Sequence, residues 1–223
     1  MCGQHTLLRR LSGAAESAHH APGFDSRRHL NFLAHLYLSP PGEDALLGSL
    51  LGDFVKGPLE PLPQSPLTRA IALHRKLDLF TDSHPMVLAS KARVSAGRRR
   101  FAGVMVDLFY DHFLARDWRE FHDEPLDAFS RRVYGMLERR FAELPPRLQR
   151  MAPHMIAGDW LGSYAEVDAV GEALDRIGTR LRGDNRLYGS ADELRAQYAG
   201  FEADFRDFMP QALRFCREHP LAR

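Results

Sequence analysis

The sequence predicts an all-α fold, a single-domain multi-helix bundle, and three observations carry that expectation. From about Arg28 onward, apolar residues in nearly every segment recur with helical rather than alternating periodicity. No run shows the glycine-punctuated alternation of a strand, and no internal repeat is present. The chain has 223 residues, 44% hydrophobic and 26% charged, a balance that supports one substantial core.

Taken in order, the first helix, Leu30–Leu38, is short and apolar and stops at Ser39-Pro40-Pro41-Gly42. A second covers Asp44 to Lys56, with Gly48 and Gly52 one turn apart, a spacing that lets helices approach closely despite glycine's low helicity. Gly57–Pro66 holds four prolines and reads as a loop. A third helix runs through LTRAIALHRKLDLFTD, after which Ser83 and Pro85 read as the cap and first-turn proline of the next. Further helices are expected at Arg99–Arg116, Leu126–Leu144, Pro146–Met155, Val167–Arg182 and Ala191–Arg217. The last carries a stripe of Leu194, Tyr198, Phe201, Phe205 and Phe208, with Pro210 expected to kink or break it. Residues 1–28, rich in Ser, Ala, Gly and His, read as a loosely ordered extension ahead of a domain spanning 29–223.

Composition excludes several classes. A net charge of +1 gives no global attraction to nucleic acid or to a membrane surface. No stretch is long and apolar enough to span a bilayer, and the start has no signal-peptide pattern. Cys2 and Cys216 are too few for a disulfide scaffold or a thiolate metal site, which points to a reducing, cytoplasmic compartment. Basic runs such as Arg98-Arg99-Arg100 read as solvated helix faces or as a patch for an acidic partner.

Chemistry concentrates in four apolar helices. In LHRKLDLFTD, His74 and Asp78 share a helix face and Asp82 lies a turn further on. Imidazole and carboxylates on one face can ligate a divalent metal, whereas the plainer reading is an exposed His–Asp pair. In DLFYDHFLARDW, Asp107 and Asp111 lie about 40° apart on a helical wheel and His112 about 100° from Asp111. The surrounding leucines and phenylalanines leave little wet face, so these groups need a cation, a strong hydrogen-bond donor or a shifted pKa. His35, four residues after Asn31, and Asp53, at the end of an apolar run, repeat the pattern. Oxygen ligands mixed with imidazole suit Mn²⁺, Mg²⁺ or Fe²⁺, and the matching chemistry is metal-assisted hydrolysis at phosphorus. No phosphate-binding glycine loop or Gly-x-Ser-x-Gly elbow is present.

LNFLAHLYLS, LLGSLLGDFVKG, ALHRKLDLFTDSHP and DLFYDHFLARDW, in this order and spacing, resemble the acyl carrier protein phosphodiesterase family. GDWLGSYAEVDAVGEALDRIGTRLR fits as well, through Trp160, Leu161, Tyr164 and Arg180. The resemblance implies a His-Asp-phosphohydrolase-like helical fold and a hydrolase that prefers Mn²⁺. Its substrate would be holo acyl carrier protein, from whose serine the 4′-phosphopantetheine arm is removed. The adjacent pair here is Asp111-His112, the reverse of the superfamily's His-Asp order, so ligands do not transfer by motif position.

From the residues themselves, Asp53, His74, Asp78, Asp111 and His112 are expected around the metal, with His35 and Asp107 as further candidates to ligate it or orient its ligands. His35, Asp82 and Asp107 are candidates for catalytic support, and His35, His84 or Lys56 for protonating the leaving serine oxygen. The carrier is acidic, so Lys56, Arg75, Lys76, Arg98, Arg99 and Arg100 are expected to meet the substrate. Two other readings fit the same residues: a His-Asp-type phosphohydrolase of a nucleotide or small phosphoester, and a non-catalytic carrier-binding module.

Overall fold

The structure, a computed structural model, describes residues 32–59, 64–179 and 186–222. The expected extension at 1–28, Asn31 and the end of the helix expected to reach Arg182 lie outside the described residues. Among the described residues there are twelve α-helices and no strand, as the periodicity predicts. They are α1 Phe32–Tyr37, α2 Glu43–Leu51, α3 Pro66–Ser83, α4 Pro85–Arg93, α5 Ala102–Arg116 and α6 Trp118–Phe121. Then follow α7 Leu126–Arg139, α8 Pro146–Ala157, α9 Trp160–Ser163, α10 Val167–Gly178, α11 Ala191–Ala196 and α12 Tyr198–Glu218.

Helix α5 is apolar nearly all round, and only Gly103 and Arg116 of its residues escape burial. It is the axis of the bundle, with α1, α4, α6, α9, α10 and α12 packed around it. Its aromatic side meets the stripe on α12: the Phe109 and Phe201 rings lie edge to face at 5.1 Å, and Tyr110 meets Phe205 at 5.6 Å. The stripe is therefore core, as its spacing requires.

Helices α2 and α3 pack on each other through their glycines. A Cβ on Gly48 would lie 2.3 Å from the Leu67 carbonyl oxygen, and one on Gly52 would lie 2.1 Å from His74 Cγ. A larger residue at Gly48 would press on the α3 backbone, and one at Gly52 on the His74 ring. Ser65 and Thr68 close a reciprocal capping box on α3, with Pro66 at its first position.

Several boundaries differ from expectation. The cap of α4 is His84, not Ser83: His84 Nδ1 accepts from the Met86 N–H at 3.3 Å, while Ser83 donates back to Leu79 and Phe80 carbonyls. The Arg99 region opens with a 3₁₀ segment, Ala96–Phe101, before α5 begins. The single helix expected from Ala191 to Arg217 is divided at Gln197, which leaves the helical region with φ −130°. Helix α12 runs unbroken through Pro210, because Pro210 and Arg206 are both on the solvent side, where the released Arg206 carbonyl can turn to water.

Candidate metal centre

His35 on α1, His74 and Asp78 on α3 and Asp53 just beyond α2 converge at one end of the α2–α3 contact. The i, i+4 spacing puts His74 and Asp78 on one face, with His74 Nε2 3.4 Å from Asp78 Oδ2. His35 Nε2 comes from the facing helix to 3.2 Å from Asp78 Oδ1, and the two imidazoles stack at 3.8 Å. Asp53 Oδ1 stands 3.8 Å from His74 Nε2. One donor atom each from His35, His74 and Asp78 lie within 4.8 Å of one another, the one such group among the described residues.

The orientation of His74 is set by the backbone. Its Nδ1–H donates to the Ser49 carbonyl at 2.7 Å, which fixes that tautomer and turns the Nε2 lone pair into the cluster. That Nε2 is buried and has no hydrogen-bond partner. An orphaned buried nitrogen is costly, and a cation removes the cost. Two ligands each about 2.1 Å from one cation lie roughly 3.0–3.4 Å apart at octahedral or tetrahedral angles. His35 Nε2 lies at that span from Asp78 Oδ1 and His74 Nε2 from Asp78 Oδ2, one imidazole to each carboxylate oxygen, and two imidazoles with a carboxylate are a donor set suited to a divalent metal.

The charges agree with such a site. Burial works against an imidazolium at His74, but the Asp53 and Asp78 carboxylates overcome it and raise its pKa to about 9. Burial alone would raise Asp78, yet the His35 and His74 imidazoles beside it hold it well below the usual carboxylate range. His35 is pushed down by burial and by its stacked neighbour His74. Asp53 and Asp78 thus draw positive charge to His74 Nε2, as a proton or as a divalent cation in its place. Asp78, with 24% of its side chain exposed, is its most open member.

The model of the acyl carrier protein phosphodiesterase family matches residues 30–212. The chain belongs to that family. It is 32% identical over 193 residues to the acyl carrier protein phosphodiesterase of Serratia proteamaculans, covering 86% of this chain and all of that protein. The relative of the same name from Pectobacterium atrosepticum gives the same identity and coverage. That from Photorhabdus laumondii is 31% identical over 182 residues, covering 81% of this chain and 92% of its own. No solved structure matches.

In this family member the other sequence candidates are put to different uses. Asp111, fully buried on α5, has both oxygens engaged by the backbone of α1, accepting from Leu33 N–H at 3.0 Å and Ala34 N–H at 2.8 Å. His112 donates from Nδ1 to the Tyr164 carbonyl and accepts at Nε2 from the Tyr198 hydroxyl. Neither belongs to the His35–His74–Asp78 group, since the partners that burial demanded are backbone groups and a tyrosine. Asp107 is buried a turn before Asp111, near enough to raise its pKa further. Asp82 is held by Lys91 at 2.8 Å, and His84 is committed to its cap and to the Phe80 and Phe208 rings.

The basic candidates divide likewise. Arg75 donates to the Val55 and Gly57 carbonyls, so it secures the loop that follows Asp53 and Lys56. Arg98 donates to the Arg186 and Tyr188 carbonyls and to Glu193, and Arg99 to the Val94 and Ala92 carbonyls. Arg100 lies over the Phe101 ring, and Lys76 is exposed on α3 between His74 and Asp78. Two contributors escaped sequence reasoning: the Ser49 carbonyl, which has no residue-type signal, and Gly52 as the bed of the His74 ring. The glycine spacing signalled a close approach but not what approaches.

Proposed function

We propose that this chain is a divalent-metal-dependent phosphodiesterase that hydrolyses the 4′-phosphopantetheine arm from the serine of holo acyl carrier protein, leaving the apo protein. The observation that carries the reading is the His35–His74–Asp78 group, its two histidines buried and His74 Nε2 without a hydrogen bond, in a chain of this family. Its relatives are named acyl carrier protein phosphodiesterases, which supports the same substrate here.

His35, His74 and Asp78 would hold the metal, with Asp53 as the fourth protein ligand; the resemblance favours Mn²⁺, with Mg²⁺ or Fe²⁺ fitting the same donors. When bound, a divalent cation supplies polarisation of a phosphoryl oxygen and lowers the pKa of water. The chain's own part is orientation. Ser49 holds the His74 tautomer, Gly52 leaves room for its ring, and Asp78 opens the cluster to solvent on the side from which a substrate can enter. The net reaction adds water across one bond: its oxygen joins phosphorus, the phosphorus–serine oxygen bond breaks, and a proton passes to the serine oxygen. Lys76, exposed on the side of α3 away from His74 and Asp78, two residues from each, is the residue this reading favours for docking the carrier outside the centre itself. A cytoplasmic location belongs to the same proposal. Among the described residues no helix is long and apolar enough to cross a membrane.

The test is to incubate holo carrier protein with the purified chain in Mn²⁺ and then in EDTA, following the carrier's mass. Loss of the arm that EDTA abolishes is the expected result. Activity on small phosphoesters alone would select a different phosphohydrolase, and a metal-free, inert chain would select a binding module.

A further inference from the structure

Asp111 presents a problem that the metal does not solve. Its carboxylate has no solvent exposure, and it accepts from two successive backbone N–H groups, those of Leu33 and Ala34. Burial pushes its pKa well up, and those two N–H groups act against that. A helix start can be satisfied by an uncharged serine or asparagine at far lower desolvation cost. What a carboxylate adds is two equivalent acceptors held in one plane.

The helix it grips is the one that carries His35. Helix α1 has six residues, far below the length at which a helix is stable by its own hydrogen bonds. Its position is therefore set by what holds it from outside. Apolar burial of Phe32, Leu33 and Leu36 keeps it against the core but does not index its rotation. A slip of one residue would turn the side chains by about 100° and carry His35 away from Asp78. Two N–H groups caught by two oxygens of one rigid side chain allow a single rotation and a single depth. His35 is the very next residue after Ala34.

We propose that Asp111 is a positioning residue: by binding the Leu33 and Ala34 N–H groups it fixes α1 so that His35 Nε2 meets Asp78 and His74 Nε2. The inference rests on the metal-centre reading of His35, and it assigns Asp111 a role one step removed from the metal rather than on it. Asp111→Asn keeps the shape but replaces one acceptor with a donor facing an N–H. Mn²⁺ affinity should fall about 10–100-fold, the usual cost of losing a partner that orients a ligand.

The decisive measurement is Mn²⁺ titration of four proteins: the native chain, Asp111→Asn, His35→Ala and the double variant. If Asp111 works through His35, the double variant binds Mn²⁺ no more weakly than His35→Ala alone. Losses that multiply would make Asp111 an independent ligand and overturn the proposal, as would native affinity in Asp111→Asn when His35→Ala is impaired. Native affinity in His35→Ala would instead remove the metal-centre reading itself. Should Asp111→Asn not fold, Asp111→Glu, which keeps both acceptors but displaces them by one methylene, carries the same comparison.

Discussion

His112 holds its proton on a nitrogen that its neighbours dictate. Arg116 Nη1 donates to the Tyr198 hydroxyl oxygen at 2.7 Å, so the hydroxyl proton is directed to His112 Nε2, also at 2.7 Å. Nε2 must then accept, and Nδ1–H donates to the Tyr164 carbonyl at 2.9 Å. Burial, aided by Arg116, lowers the His112 pKa against the pull of the Tyr164 carbonyl. The sign follows: the unfolded chain takes up this proton near its ordinary value of 6.5 while the folded chain resists it. Stability from His112 is thus complete above 6.5 and is lost as pH falls below it, by about 1.4 kcal/mol per unit of pKa depression. Denaturant unfolding from pH 7.5 to 5 should show a shallower decline in His112→Gln than in the native chain; parallel curves would refute the lowered pKa of His112. The two aspartates of α3 make a second contrast. Asp78 faces both imidazoles and Asp82 faces Lys91, so Asp78→Ala should lower kcat/KM at least about 100-fold, more than the loss of an orienting partner. Asp82→Ala should leave turnover within about threefold, its exposed ion pair contributing little.

The α2–α3 pair is the element on which the centre is built, and its two glycines separate packing from chemistry. At Gly48 an added Cβ meets the Leu67 carbonyl at 2.3 Å and Ala70 Cβ at 2.8 Å, all structural partners. At Gly52 the three nearest atoms it meets are all of the His74 ring, at 2.1 to 2.6 Å. Both Gly48→Ala and Gly52→Ala should destabilise the fold by about 1–3 kcal/mol, the cost of overpacking. Only Gly52→Ala should also weaken Mn²⁺ binding, since the displaced ring carries Nε2 with it; equal metal affinity in the two variants would refute this. The helical pattern, the α2–α3 approach and the His74–Asp78 pair were all legible in the sequence, because each is a matter of spacing within one element. Asp111 shows where such reading stops. A carboxylate in an apolar helix demands a partner, but that partner is the backbone of residues 33 and 34, which no residue type announces. The same holds for the Ser49 carbonyl behind His74 and for His84, whose imidazole replaces the expected serine as a cap.

Across the whole molecule, positive charge is abundant but mostly committed. The chain's net charge is +1, too small to steer an acidic protein from a distance, so docking depends on what is displayed locally. Arginines that read as docking candidates instead join elements: Arg98 ties the 3₁₀ segment to Arg186, Tyr188 and α11, and Arg75 ties α3 to the loop after Asp53; Arg140 likewise ties the end of α7 to Asp44 of α2. Lys76 is exposed on the helix that bears His74 and Asp78, beside Leu79, which is 65% exposed. An ammonium next to an accessible apolar side chain is a surface suited to an acidic helical partner. Lys76→Glu should therefore raise KM for holo carrier protein about fivefold or more at low salt while kcat and the unfolding midpoint stay near native. The difference should shrink as ionic strength rises, because an exposed pair is screened over about 10 Å at 0.1 M salt. Hydrolysis of a small phosphodiester by the same variant supplies the control. Its rate should be unchanged if Lys76 acts on the carrier alone, whereas a matching loss on both substrates would place Lys76 in the chemistry of the centre instead.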